Sequence, residues 1–416
     1  MIVRRLLALG ALLLAPLCVR GQAAPATPAP GAGLTVTLVT FGQAEEVFER
    51  FGHNALWFQN GLTGEDVAYH WGLFSFEQPH FVARFLTGDT RYWMGTGDVR
   101  PEELIEFWRR NGRPITLQRL NLTPGQATKL HDFVVWNARP ENKFYRYDYF
   151  QDNCSTRLRD ALDLAVGGAI KAATDTAITA LSFRRESVRL VDGDKPVQLG
   201  IDIALGRPAD APLTKWKSFF IPMRLRDAIR TIRITGADGS LVPLVSAERV
   251  IDPLPPPPPL VELQTAPRLA VRYGLLGLLL AAMVCGLRVM MVSRRGAAWG
   301  LAVFGAIWSF LSGVIGVIVL LAWFLTRHVF WAANENVLLL TPFSLALAIL
   351  IPAAVLGSRA RSAARLVSAV VAACALAGFL LAVIPGGEEN RAVVALFLPV
   401  HLSFAWALWS LDRARA

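Results

Sequence analysis

Cys154 stands in the string Phe150-Gln-Asp-Asn-Cys-Ser-Thr-Arg-Leu-Arg-Asp160, where a short aromatic strand pattern runs into an amphipathic helix pattern. A thiol opening a helix is a candidate nucleophile. The helix N-terminus and a nearby imidazolium both favour the thiolate, and N–H groups at that point can hold a developing oxyanion. His53, in Phe51-Gly-His-Asn-Ala-Leu-Trp57, is the candidate base, and His70, in Tyr69-His-Trp-Gly72, is the candidate group that orients it. Asn54, Trp71, Asp152 and Asn153 flank the three and are expected to contact substrate. The bland alternatives are a small buried hydrophobe for Cys154 and structural roles for the histidines. His80 and His131 read as surface or packing residues, and Arg157 and Asp160 as a structural pair on the same helix. No His, Asp or Glu spacing suggests a metal, and no glycine loop suggests a phosphate, so no cofactor is expected.

The elements that must position these side chains are legible as local patterns. Residues 34–40 alternate like a strand, a second begins after His53 at 55–58, and a third over 68–76 carries His70 and Trp71. Pro101 starts a helix through Arg110, and Thr123-Pro-Gly-Gln126 is a capping box opening a helix to about Trp136. Residues 145–150 read as a strand. Asp152 or Asn153 can cap the helix that follows, which puts Leu158, Ala161, Leu162 and Ala165 on one face and stops at Gly167-Gly168.

Membrane patterning accounts for the other cysteines and makes Cys154 the one expected within reach of water. Residues 1–23 have the form of a secretory signal, with Arg4 and Arg5, an apolar run, and a small-residue cleavage site, and Cys18 would leave with it. A domain over 24–252 precedes the proline-rich segment 253–268, expected to be an extended linker. Five apolar stretches follow, at 273–292, 301–325, 337–356, 366–384 and 393–411, each near the ~20 residues that cross a bilayer as a helix. Cys285 and Cys374 fall inside them. If the first domain is outside, the inner loops hold Arg294, Arg295, Arg359, Arg361 and Arg365 and the tail holds Arg413 and Arg415, whereas the outer loop holds Glu388 and Glu389. That bias obeys the positive-inside rule. The formal net charge of +10 is spread along the chain without a basic stripe interleaved with aromatics, so nucleic acid is not expected as a partner. Arg288 is expected to snorkel, His401 to pack, and Asn334 and Asn336 either to face the site from below or to cap the third span.

The strings around His53, His70 and Cys154, together with Pro140-Glu-Asn-Lys-Phe-Tyr145, Trp216-Lys-Ser-Phe-Phe-Ile-Pro222 and Asn334-Glu-Asn-Val-Leu-Leu-Leu-Thr-Pro342, resemble the Lnb-type lipoprotein N-acyltransferase family. The resemblance covers most of the mature chain and implies that His53 and Cys154 are catalytic. It departs at His70, where that family's pattern leads one to expect asparagine. The order of histidine, strand, then cysteine at a helix start also resembles circularly permuted papain-like enzymes such as the lecithin:retinol acyltransferase group.

Together these imply an α+β, permuted papain-like exported domain followed by a five-helix transmembrane bundle, in the bacterial inner membrane with the catalytic domain on the periplasmic side. The implied reaction moves an acyl chain from a phospholipid donor through a Cys154 thioester to the amine of a lipoprotein acceptor. An apolar cleft lined by Trp57, Trp71, Phe74 and Phe150 is expected with it. A periplasmic cysteine peptidase or amidase acting on the cell wall would use the same dyad in a hydrophilic cleft. A non-catalytic membrane assembly module would need Cys154 only for packing.

Overall fold

The computed structural model describes residues 30–96, 99–254 and 269–411. The expected signal segment, most of the proline-rich linker and the basic tail lie outside the described residues. The N-terminal part is a mixed α/β domain built on one seven-stranded sheet. Its strands are β1 (Leu34–Phe41), β2 (His53–Asn60), β3 (Glu65–Leu73), β4 (Arg91–Thr96), β5 (Ile115–Leu120), β6 (Phe144–Arg146) and β7 (Val245–Ile251), in spatial order β7-β5-β1-β2-β3-β4-β6 with every pairing antiparallel. The expected strand over 145–150 is cut to three residues. Beyond Arg146 the chain turns, and Asp148 accepts from the N–H groups of Phe150 and Gln151 and bridges back to Asp152.

Helices α1 (Phe81–Thr87), α2 (Pro101–Arg110), α3 (Pro124–Asn137) and α4 (Cys154–Ala165) surround the sheet. Period-two burial splits the central strands between two cores. Leu56 and Phe58 of β2 join Trp71, Leu130 and Leu158 on the face covered by α3 and α4, while Ala55 and Trp57 join Ile105 and Ile115 beneath α2. The expected face of α4 is the buried one: Leu158, Ala161, Leu162 and Ala165 all lie in the first core. Complete burial of Leu158 and Leu162 contributes about 1.5–3 kcal/mol each. Gly167 and Gly168 end the helix with φ of 72° and 84°, a conformation that glycine adopts without a Cβ penalty.

Five helices long and apolar enough to cross a membrane form the second part. They are α7 (Leu269–Met290), α8 (Arg295–Leu325), a span over Asn336–Leu356 whose main helix is α9 (Ser344–Leu356), α10 (Arg361–Val383) and α11 (Arg391–Trp409); α5 (Phe183–Leu190) and α6 (Lys195–Ala204) precede them on the N-terminal side. Arg288 is buried and donates to the carbonyl of Ser410 rather than extending to a surface, and His401 bonds the carbonyl of Leu339 as a packing residue.

The loops 326–335 and 385–390, on the side expected to face outward, carry contacts with the N-terminal domain, joined by Tyr273 of α7, whose hydroxyl donates to the Lys195 carbonyl at 2.8 Å. Gly206 N–H donates to the Phe330 carbonyl at 2.7 Å, and Phe330 enters an aromatic cluster with Phe150, Phe183 and Phe220. Asn334 and Asn336 donate to the carbonyls of Asp202, Ile203 and Ala204 at the end of α6, so they dock the two parts rather than face the thiol. Beside them Arg184 of α5 is buried against Asp202 at 3.1 Å, Asp210 at 2.7 Å and Glu388 at 3.1 Å. One guanidinium thus serves three buried carboxylates. Burial raises Glu388 to about 8 and Asp202 to about 6, against the pull of Arg184.

Removing one side of a buried ionic cluster strands the other. Arg184→Ala is therefore expected to cost roughly 3–5 kcal/mol and Glu388→Gln far less, because the amide keeps an acceptor oxygen and carries no charge to strand. Thermal melting of the full chain in detergent checks this; equal losses for both would contradict the assignment of Arg184 as the keystone.

Candidate active site

Cys154 is the first residue of α4, and Asn153 fixes it there. Asn153 accepts at 2.9 Å from the N–H groups of both Ser155 and Thr156, while Thr156 Oγ1 accepts from Asn153 N–H at 2.8 Å. The Asn153 amide donates to the carbonyls of Tyr149 and Phe220, which ties the cap to the preceding turn and to the aromatic cluster that receives Phe330. Ser155 then joins the helix to the sheet: its hydroxyl accepts from the Asn54 amide at 3.1 Å and donates to the Phe219 carbonyl at 2.6 Å. Asn54 Oδ1 accepts from Thr40 Oγ1 at 2.8 Å. The thiol is consequently held beside the start of β2, where the backbone N–H groups of Asn54, Ser155 and Cys154 itself favour the thiolate.

His53 opens β2, one residue from Asn54. Its Nε2 lies 3.1 Å from His70 Nδ1, and the two rings stack with centroids 5.4 Å apart. The sheet register makes this contact: β2 pairs with β3 from Ala55 opposite His70, and on the other edge of β3 the pairing with β4 shifts just beyond His70. One ring nitrogen of the half-buried His53 is thus occupied by His70, leaving Nδ1 for a proton from elsewhere. No hydrogen bond joins His53 to Cys154 among the described residues. Gly52, at φ 79°, permits this strand start, since a Cβ there would lie 2.5 Å from Met223 Sδ.

Burial overturns the expected exposure and ionisation of the thiol. Cys154 is only 6% exposed and belongs to the sheet–helix core, whereas Cys285 and Cys374 in the spanning helices are less buried. Loss of hydration pushes the thiol up to about 11, although the surrounding N–H groups and Arg113 pull the other way. The same loss pushes His70 down to about 4 and holds His53 well below the usual imidazole range, with His70 and Arg113 adding to the effect. At neutral pH both members of the dyad are uncharged.

Two residues at the site were not singled out by sequence. Arg113 is buried, donates to the Gly42 carbonyl at 2.7 Å, and packs its guanidinium over Trp108 and over Phe41, whose ring stacks on His53. Its positive field reaches both His53 and Cys154. Tyr145 packs against the core that holds Cys154, and its buried hydroxyl makes no hydrogen bond to a protein group within normal geometry. Spatial proximity marks both; Tyr145 lies in the Pro140–Tyr145 string, but nothing in that string points to a role at the thiol.

The four residues expected to contact substrate are placed differently. Asn54 and Asn153 are buried and spend their amides on the helix docking described above, and Trp71 is buried with Nε1 donating to Asn137 Oδ1 at 2.8 Å. Asp152 is partly exposed and pairs with Arg157 at 2.5 Å, so the expected Arg157–Asp160 pair is replaced; Asp160 binds Arg159. Of the aromatics expected to line one cleft, Trp57 sits on the opposite face of the sheet, bonded to Asp66 at 2.6 Å. His131 pairs with Glu65, and His80 precedes α1 with a φ of 56°. A cavity of about 450 Å³ lined by Tyr69, Trp93, Thr96 and Arg139 is separate from the dyad.

Fold and site together define a membrane protein whose mixed α/β domain buries a cysteine at a helix N-terminus next to a strand carrying a coupled histidine pair. Residues 30–188 match the Lnb N-terminal periplasmic domain, and residues 274–414 match the Lnb transmembrane domain. The chain belongs to the Lnb-type family, with a periplasmic domain followed by a membrane-spanning region. No curated protein and no solved structure matches it.

A thiol raised to about 11 is protonated at neutral pH, and its thiolate fraction grows about tenfold per pH unit below that value. Iodoacetamide labelling followed on the Cys154 peptide should therefore keep accelerating up to about pH 10. A rate already level near pH 7 would mean that the thiolate is preformed.

Proposed function

We propose that the protein is a cysteine-dependent acyltransferase that moves an acyl chain from phospholipid to the N-terminal amine of a lipoprotein, with its active domain on the periplasmic face of the inner membrane. The observation that carries this reading is the His53 Nε2–His70 Nδ1 contact of 3.1 Å, on the strand that Asn54 docks through Ser155 to the start of the helix bearing Cys154. Family membership and the bilayer-length helices favour a lipid substrate over a cell-wall peptide.

The neutral dyad sets the order of proton movement. In the first half, Cys154 Sγ attacks the ester carbonyl as its proton passes to His53 Nδ1, and the imidazolium returns that proton to the departing alkoxide, releasing lysophospholipid. In the second, the amine attacks the thioester carbonyl. His53 takes the proton from nitrogen and delivers it to the leaving sulfur, so the thiol is regenerated. His70 Nδ1 accepts from His53 Nε2–H, which leaves His53 Nδ1 unprotonated to act as the base. The N–H of Cys154 and the unpartnered hydroxyl of Tyr145 supply hydrogen bonds to the oxyanion in both halves. Asn54, Trp71 and Asn153 act as positioning residues, and Arg113 favours the negative charge that develops on sulfur.

Transfer to a diacylglyceryl-cysteine peptide in phospholipid nanodiscs tests the scheme. Cys154→Ser should abolish transfer and His53→Ala should reduce it by about 10²–10⁴-fold. His70→Asn, which keeps a hydrogen-bonding group, should retain more activity than His70→Ala, and Tyr145→Phe should lose about 10²-fold. Full transfer by Cys154→Ser would dismiss the nucleophile.

A further inference from the structure

Helix α1 has no buried residue. It exposes Val82 by 69% and Leu86 by 53%, and the turn before it exposes Phe76 by 69%. A helix of seven residues has little stability of its own in water, so this one depends on its attachments and on the medium around it. Its attachments lead to the membrane bundle. Arg327 N–H donates to the Thr87 carbonyl at 2.9 Å, His328 Nε2 lies 3.0 Å from the Phe85 carbonyl, and Arg327 pairs with Asp89 at 3.3 Å.

Those residues directly follow α8, whose outer end exposes Phe324 by 69% and Leu325 by 67%. The 31 residues of α8 rise about 46 Å, more than the ~30 Å hydrocarbon core, so its last turn stands in the outer interfacial layer. The exposed Val82 and Leu86 of α1 are thus attached, through Arg327 and His328, directly to that exposed apolar end. From the same patch a row of aromatic rings runs inward. Phe76 meets Phe74 with centroids 4.9 Å apart, Phe74 meets Tyr92 at 5.2 Å, and Tyr92 stacks on Tyr147 at 4.2 Å. Between Tyr147 and the nucleophile stands Gly72, at φ 86°. A Cβ there would lie 3.4 Å from the Tyr147 ring and 3.3 Å from Cys154 Cβ, so glycine keeps the end of the row open to the thiol.

We propose that α1 and the Phe76 turn lie in the outer leaflet, and that a phospholipid acyl chain reaches Cys154 from the bilayer along the aromatic row from Phe76 to Tyr147. The inference rests on the acyltransferase reading and adds the side from which the donor arrives. The row places apolar surface along the chain's path, and Arg327, exposed beside α1, stands where a headgroup phosphate would remain. The donor never crosses water.

Two measurements test it. Bimane attached at Val82→Cys or Leu86→Cys, with Cys285 and Cys374 replaced by alanine, is read in phosphatidylethanolamine/phosphatidylglycerol nanodiscs containing 5-doxyl phosphatidylcholine. Quenching should equal that at Phe324→Cys and exceed that at Ser240→Cys, in a turn bonded only within the soluble domain. Separately, Val82→Asp/Leu86→Asp, which alters only exposed positions, should slow acylation of Cys154 by bilayer phospholipid about tenfold or more through loss of local lipid supply. It should leave acylation by water-soluble p-nitrophenyl butyrate unchanged. No quenching at 82 and 86 while the wild type transfers acyl chains overturns the membrane contact alone. Undiminished bilayer acylation by the double variant overturns the route. Quenching with no acyl transfer in the wild type leaves the contact standing and overturns the route together with the reading on which it rests.

Discussion

The docking of the α4 N-terminus against the start of β2 is the constraint on which the site depends. Asn153 satisfies two helix donors that would otherwise be orphaned in the core, and Asn54 and Ser155 complete a chain of hydrogen bonds from Thr40 to the Phe219 carbonyl. Every member is buried, so a lost bond leaves a polar group without water to replace its partner. This network holds the sulfur beside the strand that carries His53. The placement of the thiol beside that strand is therefore a by-product of satisfying backbone groups at a buried helix end.

The same burial determines the charge state. A thiolate–imidazolium pair would place two ions in a poorly hydrated space, and the displaced values of Cys154, His53 and His70 disfavour it. Arg113 adds to the backbone N–H groups in favouring anionic sulfur, yet it also disfavours a charged imidazole. In the proposed reaction, a neutral resting dyad suits a thiol that waits for a lipid ester without alkylating or oxidising. On that proposal the proton moves only as the carbonyl arrives.

Two of the contacts that couple the bundle to this arrangement are well buried. Phe330 touches Phe150, four residues before Cys154, and packs in the cluster whose Phe220 carbonyl receives the Asn153 amide. The Arg184 cluster fastens the same face of the domain to the loop carrying Glu388. The membrane part consequently supports the capped turn as well as anchoring the chain.

Local features were legible in the sequence because their causes are local. Capping at Thr123 and Asn153, the buried face of α4, the glycine stop and the five apolar spans all follow from residues within one or two turns of each other. The exposure of Cys154 was misjudged for the opposite reason: flanking Asp152, Asn153, Ser155 and Thr156 look polar, but three of them are consumed by internal bonds. Arg113, Tyr145 and Arg184 gain their meaning from strands and loops distant in sequence, which no periodicity encodes. What holds the account together is the identity of Cys154 as the acyl carrier. Intact-protein and peptide mass spectrometry after incubation with phospholipid measures that directly: the account predicts one hydroxylamine-labile fatty acyl group on Cys154, absent from His53→Ala, whereas a folded wild type that bears no adduct, or bears it on another residue, would contradict it.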